Sequence, residues 1–196
     1  MRRARDLDGL ARELGGLAPS CGPVRLIAVD GHAGSGKTGF SARLARALGG
    51  APVLHLDDVA SHDALFDWTA RIRTEVIGPL SRGAPARYGK YDWHRREFTR
   101  AGEFPPRPAV LVEGVGAGRR ELRPWLAAVL WMDLPRDESW ARGMRRDGPD
   151  QADFWRRWKQ AELAHFTSDP SRPYADYVVR ERGTGFEVLE GPAGSG

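Results

Sequence analysis

Sulfur and lysine are scarce in this chain. Its 196 residues include one cysteine, three methionines and three lysines, Lys37, Lys90 and Lys159. The lone Cys21 can close no internal disulfide and has no cysteine partner for a zinc site, so a reducing, cytoplasmic compartment is expected. The five histidines are not spaced closely enough to make a zinc site either. No apolar run approaches the roughly 20 residues needed to span a bilayer, so no membrane association is expected. The opening stretch MRRARDLDGLARELGGL is basic but lacks the apolar core and small-residue cleavage site of a secretory leader. Repeats of solenoid length are absent as well. The one low-complexity segment is the tail, 191–196, expected to be disordered.

Arginine supplies nearly all of the positive charge. Lys+Arg number 30 against 26 Asp+Glu, for a net charge of +4. Compositional bias and recognition of phosphate by the planar guanidinium fork both account for this excess, and composition does not choose between them. The pairs at 95–96, 119–120, 145–146 and 156–157 are scattered over four elements, so nucleic acid is not the expected partner. Hydrophobic residues make up 41% of the chain, enough for one globular domain spanning 1–190, with 1–20 forming a helix packed on it.

Short apolar runs alternate with longer helical stretches, which is an α/β signature. Strands are expected at 24–29, 52–56, 109–112, 129–133 and 177–179. Each is nearly continuously apolar, as strands of a parallel sheet covered on both faces must be. Leu7, Leu10, Leu14 and Leu17 predict an amphipathic helix before the first strand, and Phe40, Leu44 and Leu48 another after it. Trp68, Ile72 and Val76 predict a third, over 64–77, ended by Gly78-Pro79. Phe154, Trp158, Ala161 and His165 predict a fourth. The tryptophans at helical spacing read as core or lid packing rather than a ligand cage. Pro105-Pro106-Arg107-Pro108 is a stiff connector.

The strongest local signal is Gly31-His32-Ala33-Gly34-Ser35-Gly36-Lys37-Thr38, which matches G-x-x-x-x-G-K-[ST]. A predicted strand runs into it and a predicted helix leaves it, the context that makes the motif meaningful. Glycines let backbone N–H groups converge on an anion, and the helix N-terminus adds partial positive charge. Lys37 is then expected to reach the β- and γ-phosphates of a nucleotide, with Thr38 on Mg²⁺. His32 is expected to face solvent or help orient a phosphate. No N-K-x-D segment occurs, which disfavours a GTPase. Asp57 and Glu113 come directly after predicted strands, at the ends that form the ligand crevice of a doubly wound sheet, so both should approach Thr38. Asp57-Asp58 also reads as a helix N-cap.

The order of these features resembles the uridine kinase and phosphoribulokinase group of P-loop kinases. Phosphate loop, acid after a strand, Tyr91-Asp92-Trp93, Val112-Glu113-Gly114, an arginine-rich helix and a final Ala175-Asp176-Tyr177-Val178-Val179 recur in that sequence over about 26–179. The opening V-D-G-H-A-G-S-G-K-T also resembles cytidylate kinase. The resemblance implies a three-layer P-loop NTPase fold with a five-stranded parallel sheet, helices on both faces and a short lid around Asp147-Gly148-Pro149-Asp150. It implies Mg-ATP as phosphate donor and a hydroxyl-bearing small molecule, a nucleoside above all, as acceptor. Asp57 is implied as the base, with Thr38, Asp57 and Glu113 toward the metal. Lys37, Arg142 and Arg146 are implied at the transferring phosphate. Asp58, Asp67, Tyr91, His94 and Arg96 are implied around the acceptor, Arg96 standing where the family has its histidine. Val59-Ala60 replaces a family aromatic, Gly143 a family arginine, and Gly39 a Ser or Thr. A monophosphate kinase and a non-kinase nucleotide switch are the competing readings.

Overall fold

A computed structural model describes residues 6–193. In chain order the main elements are α1 (Leu7–Gly16), β1 (Arg25–Asp30), α2 (Lys37–Ala47), β2 (Val53–His55), α3 (Leu56–Val59), α4 (Thr69–Ile72) and α5 (Gly78–Ser81). Next come β3 (Ala86–Asp92), β4 (Glu97–Phe104), β5 (Ala109–Glu113), β6 (Leu126–Met132), α6 (Arg136–Asp147), α7 (Ala152–Ser168), β7 (Tyr177–Arg182) and β8 (Gly185–Glu190). The central sheet runs β2-β5-β1-β6-β7-β8. Its first five strands are mutually parallel, as expected, and β8 adds an antiparallel edge. GFEVLE carries two acids and no continuous apolar run, so it gave no strand signal of its own. It pairs because Gly183, at φ 56, turns it back on β7.

β1 and β5 lie inside the sheet and are buried along almost their whole length. One face of the sheet is covered by Leu10 and Leu14 of α1 and Phe40 and Leu44 of α2. The other face is covered by Trp68, Ile72, Val76 and Leu80, a stripe with a spacing of four. This stripe corrects two boundaries. The helix starts at Thr69 rather than Ala64, after an irregular segment, and it does not end at Gly78-Pro79. A π turn at Arg73–Ile77 lets the Gly78 N–H reach back to the Arg73 carbonyl. In a regular α-helix the Pro79 ring would meet the carbonyl four residues earlier, and the wider turn relieves that conflict.

The antiparallel hairpin of β3 and β4 was not expected. The Asp92 carboxylate accepts the backbone N–H groups of His94 and Arg95, and Arg96 takes φ 60 to complete the turn. The tail also departs from expectation at its start. The Gly191 N–H donates to the Asp176 carbonyl and the Ala193 N–H to that of Ala175, while 194–196 lie outside the described residues.

Candidate active site

The phosphate loop joins β1 to α2, where the motif predicts it. Gly34 and Gly36 adopt φ 85 and 91. A Cβ on Gly34 would lie 2.1 Å from the Ser139 carbonyl oxygen, so α6 can rest on the loop only because that position is bare. Gly143, one turn further along α6, meets the loop as well, its own Cβ position 3.6 Å from Gly34 Cα and 2.4 Å from the Trp155 ring. The place of the family arginine is thus a close helix–loop contact. Lys37 Nζ donates to the carbonyls of Gly31 and His32, both at 2.9 Å. Asp30, fully buried behind the loop, accepts N–H groups from Gly31, Gly116 and Gly118 at 2.7, 2.8 and 2.9 Å. It fastens the phosphate loop to the segment after β5. The expected strand stops at Val29, one residue short of it, and no role was read for this acid.

A second buried acid was also missed. Glu162 on α7 is fully buried. It accepts from His32 Nδ1 at 2.7 Å, Trp158 Nε1 at 2.8 Å, Trp140 Nε1 at 3.0 Å and the Ala33 N–H at 3.2 Å. Burial pushes its pKa up, but the hydrogen bonds from His32 and Trp158, with the rest of this donor set, hold it below the ordinary carboxylate value. His32 therefore turns its ring toward Glu162, edge-on to Trp131 and Phe166, rather than out to solvent. The buried face of α7 is Trp155, Trp158 and Glu162 rather than the expected Phe154, Trp158, Ala161 and His165.

The predicted carboxylates do converge on the loop. Thr38 Oγ1 donates to Glu113 Oε2 at 3.3 Å, and His55 Nδ1 lies 2.6 Å from the same oxygen. The Glu113 contact raises the His55 pKa above its usual value. Asp57 sits in the first turn of α3, and the helix expected over 64–77 starts at Thr69 with Trp68 at its N-cap position, so the acid pair does not cap that helix. Asp57 is open to the cleft space but walled by protein. Loss of bulk solvation, and then the Glu113 carboxylate, raise its pKa, while Lys37 opposes them.

These groups line a cleft of about 850 Å³. Arg142 and Arg146, four apart on α6, face it from above. Arg142 Nη1 pairs with Glu181 at 2.6 Å, and that pair overhangs Gly36. Arg146 Nε pairs with Asp147 at 2.6 Å, and Trp155 Nε1 donates to Asp147 at 3.0 Å. Part of the wall is aromatic: Trp93, Phe154, Trp155 and Trp158, with His62 and Gln151 beside them. Phe154 stacks on Trp158, and Trp93 meets Phe154 edge-on. Trp158, at helical spacing and expected as core or lid packing, is thus also part of the cleft wall. Trp93 Nε1 also donates to the Asp57 carbonyl at 2.9 Å, tying that wall to the acid.

Of the five residues predicted around the acceptor, only His94 lines this cleft. Asp58 points to Lys90, 2.8 Å away. Tyr91 is buried beneath the wall, its hydroxyl 3.0 Å from His62 Nδ1. Arg96 sits in the exposed hairpin turn, and Asp67 borders a separate groove. Among the described residues no group of three His, Cys, Asp or Glu side chains comes together to cage a metal. A hydroxyl with adjoining carboxylates at a phosphate loop is nevertheless the sparse oxygen set that magnesium accepts, because that ion keeps several waters and leans on phosphate oxygens. No helix of the described residues is long and apolar enough to cross a membrane.

No protein-family model and no curated protein matches the sequence. Solved structures do match the fold. One is described as a "possible uridine kinase" from Bacillus stearothermophilus, with 18% identity and a TM-score of 0.66 over 88% of this chain and 96% of that one. Another is a "putative fructose transport system kinase" from Silicibacter sp. TM1040, with 21% identity and a TM-score of 0.60 over 83% and 89%. The chain has the fold of these P-loop kinase-like proteins.

Proposed function

We propose that the protein is an ATP-dependent small-molecule kinase whose acceptor is a hydroxyl compound with a planar ring, most simply a nucleoside. The observation that carries this reading is the layout of one cleft. Phosphate loop, Thr38, Glu113 and two arginines make one part of its lining, and an aromatic wall tied to Asp57 makes the other. A nucleotide switch has no use for that second half. Aromatic faces suit a flat, weakly polar ring, and His62, His94 and Gln151 offer hydrogen bonds at its edge.

The loop glycines and the N-terminus of α2 would hold the phosphates, and Thr38, Glu113 and Asp57 would hold magnesium directly or through water. Bound Mg-ATP supplies the phosphoryl group and charge neutralisation during transfer. Asp57, on the cleft lining with Glu113 and Lys37, takes the proton of the acceptor hydroxyl. Lys37, now bonded to two loop carbonyls, and Arg142 and Arg146, now paired with Glu181 and Asp147, would hold the phosphate oxygens. Trp155 and Trp158, on the lid side, exclude water, so that transfer to the acceptor outruns hydrolysis.

Paired variants test this reading. Asp57→Asn should keep ATP binding and lose transfer by about 10²–10⁴-fold, as loss of a general base does. Lys37→Ala should abolish turnover. An Asp57→Asn protein with full activity removes Asp57 as base, and an active Lys37→Ala protein removes the loop as the donor site.

A further inference from the structure

Asp57 stands on a very short element. α3 has four residues, too few to hold its shape by internal hydrogen bonds, and no side chain caps its N-terminus. Leu56 and Val59 bury its inner face in the core. The two acids between them are tied from outside, and both ties come from the end of β3 and the turn after it. Trp93 Nε1 donates to the Asp57 carbonyl at 2.9 Å. Lys90 Nζ lies 2.8 Å from Asp58 Oδ2, an oxygen with no solvent exposure and no other partner among the described residues. One of the chain's three lysines is thus committed to the helix that carries Asp57. Without that ammonium the buried oxygen would have to turn toward water, taking α3 with it.

The strand that supplies these ties is itself fixed. Ala86 and Tyr88 are buried in the core. The Gly89 N–H donates to Glu75 Oε2 at 3.1 Å, and Arg71 of α4 lies over the Phe98 ring of β4, with Cζ 3.9 Å from its centroid. The hairpin therefore holds Lys90 at a set place against α3. Lysine suits a contact with a single oxygen, being a compact charge on a flexible stem. A partly exposed ion pair of this kind adds little to stability. Its effect on geometry is another matter, since displacing a reacting group by about 1 Å can cost on the order of 10²-fold in rate.

We propose that Lys90 is a positioning residue, which through Asp58 holds α3 against the hairpin and so keeps the Asp57 carboxylate in the cleft lining. Its effect on the rate rests on the reading of Asp57 as base, whereas the tie itself can be tested without turnover. Lys90→Met, Asp58→Asn and the double variant are compared in the full-length protein. With ¹⁵N labelling and no nucleotide present, the Trp93 indole N–H, assigned by its loss in Trp93→Phe, reports the contact with α3. Asp58→Asn alters the other side of the ion pair and should shift that signal and speed its exchange with solvent, as Lys90→Met does; it serves alone if Lys90→Met does not fold. In phosphoryl transfer from ATP to the acceptor found for the parent, each single variant should lower kcat about tenfold and leave the KM for ATP unchanged. The double variant should be no slower than either single one, and Lys90→Arg should keep more of the rate than Lys90→Met. An unmoved indole signal in Asp58→Asn, losses that multiply in the double variant, or a parental kcat in Lys90→Met would each overturn the proposal. A parent that transfers nothing to any acceptor, with the indole signal still shifted in the variants, would overturn the base reading of Asp57 and support the tie.

Discussion

Replacing Glu162 by Gln perturbs the phosphate loop from a neighbouring helix. The carboxylate receives four donors: His32 and Trp140 on one oxygen, the Ala33 N–H and Trp158 on the other. Gln has the same shape but turns one acceptor into a donor, so whichever way the amide lies, two buried donors face an N–H. Each unsatisfied buried group costs about 1–3 kcal/mol, which sums to roughly 2–5 kcal/mol after partial relaxation. Against a total of about 5–15 kcal/mol this is a large fraction. At about 2–4 °C per kcal/mol for a chain of this size, the melting temperature should fall by roughly 5–15 °C. Urea unfolding followed by tryptophan fluorescence should show a lower midpoint with an unchanged slope. The pH dependence has a defined sign. The folded pKa of Glu162 lies below its ordinary value, so its contribution is complete above the unfolded pKa of about 4.3 and is lost as pH falls through the depressed folded value. The gap between the parent and Glu162→Gln should therefore narrow on acidification. A variant as stable as the parent at pH 7, to within about 0.5 kcal/mol, would refute the assignment of this acid as the anchor of the loop.

Other substitutions probe neighbouring parts of the molecule. Gly143→Ala drives a methyl into the Trp155 ring, which is only 3% exposed and cannot move aside cheaply; thermal unfolding should show a loss of about 1–3 kcal/mol. Gly39→Ala meets nothing within 4 Å, and the same assay should show a gain of about 0.5–1 kcal/mol from helix propensity. Trp93→Ala removes one side of the aromatic wall, and steady-state kinetics should show the acceptor KM rising about tenfold, consistent with about 1–3 kcal/mol per ring stack, while the KM for ATP stays put.

How much of this was legible depends on whether a residue's role is local. The phosphate loop could be read because its chemistry is written in eight consecutive residues between a strand and a helix. Asp57 and Glu113 could be read because parallel strands deliver the residues just after them to one edge of the sheet. Glu162 could not, since a glutamate on a charged helix ordinarily faces water. Its only signal was register, one and two helical turns beyond the buried Trp158 and Trp155. Most of the residues expected around an acceptor do not line the cleft, for another reason. Asp67, Tyr91 and Arg96 were placed by resemblance, and the hairpin and the 61–68 segment take a local path that turns them away from the cleft. The aromatic part of the cleft wall combines Phe154 and Trp158, whose spacing suggested packing, with Trp93 of the Tyr91-Asp92-Trp93 segment and with Trp155.

Phosphoryl transfer from a nucleotide to a small hydroxyl compound leaves its record in the product. The protein is incubated with γ-³²P-ATP and magnesium against nucleosides, nucleoside monophosphates, sugars and other hydroxyl metabolites, and the fate of the label is followed. Label in the monoester of a ring-bearing alcohol, in the parent and not in Lys37→Ala, is the expected result. Label released only as inorganic phosphate, at a rate no acceptor changes, would rule out the kinase reading.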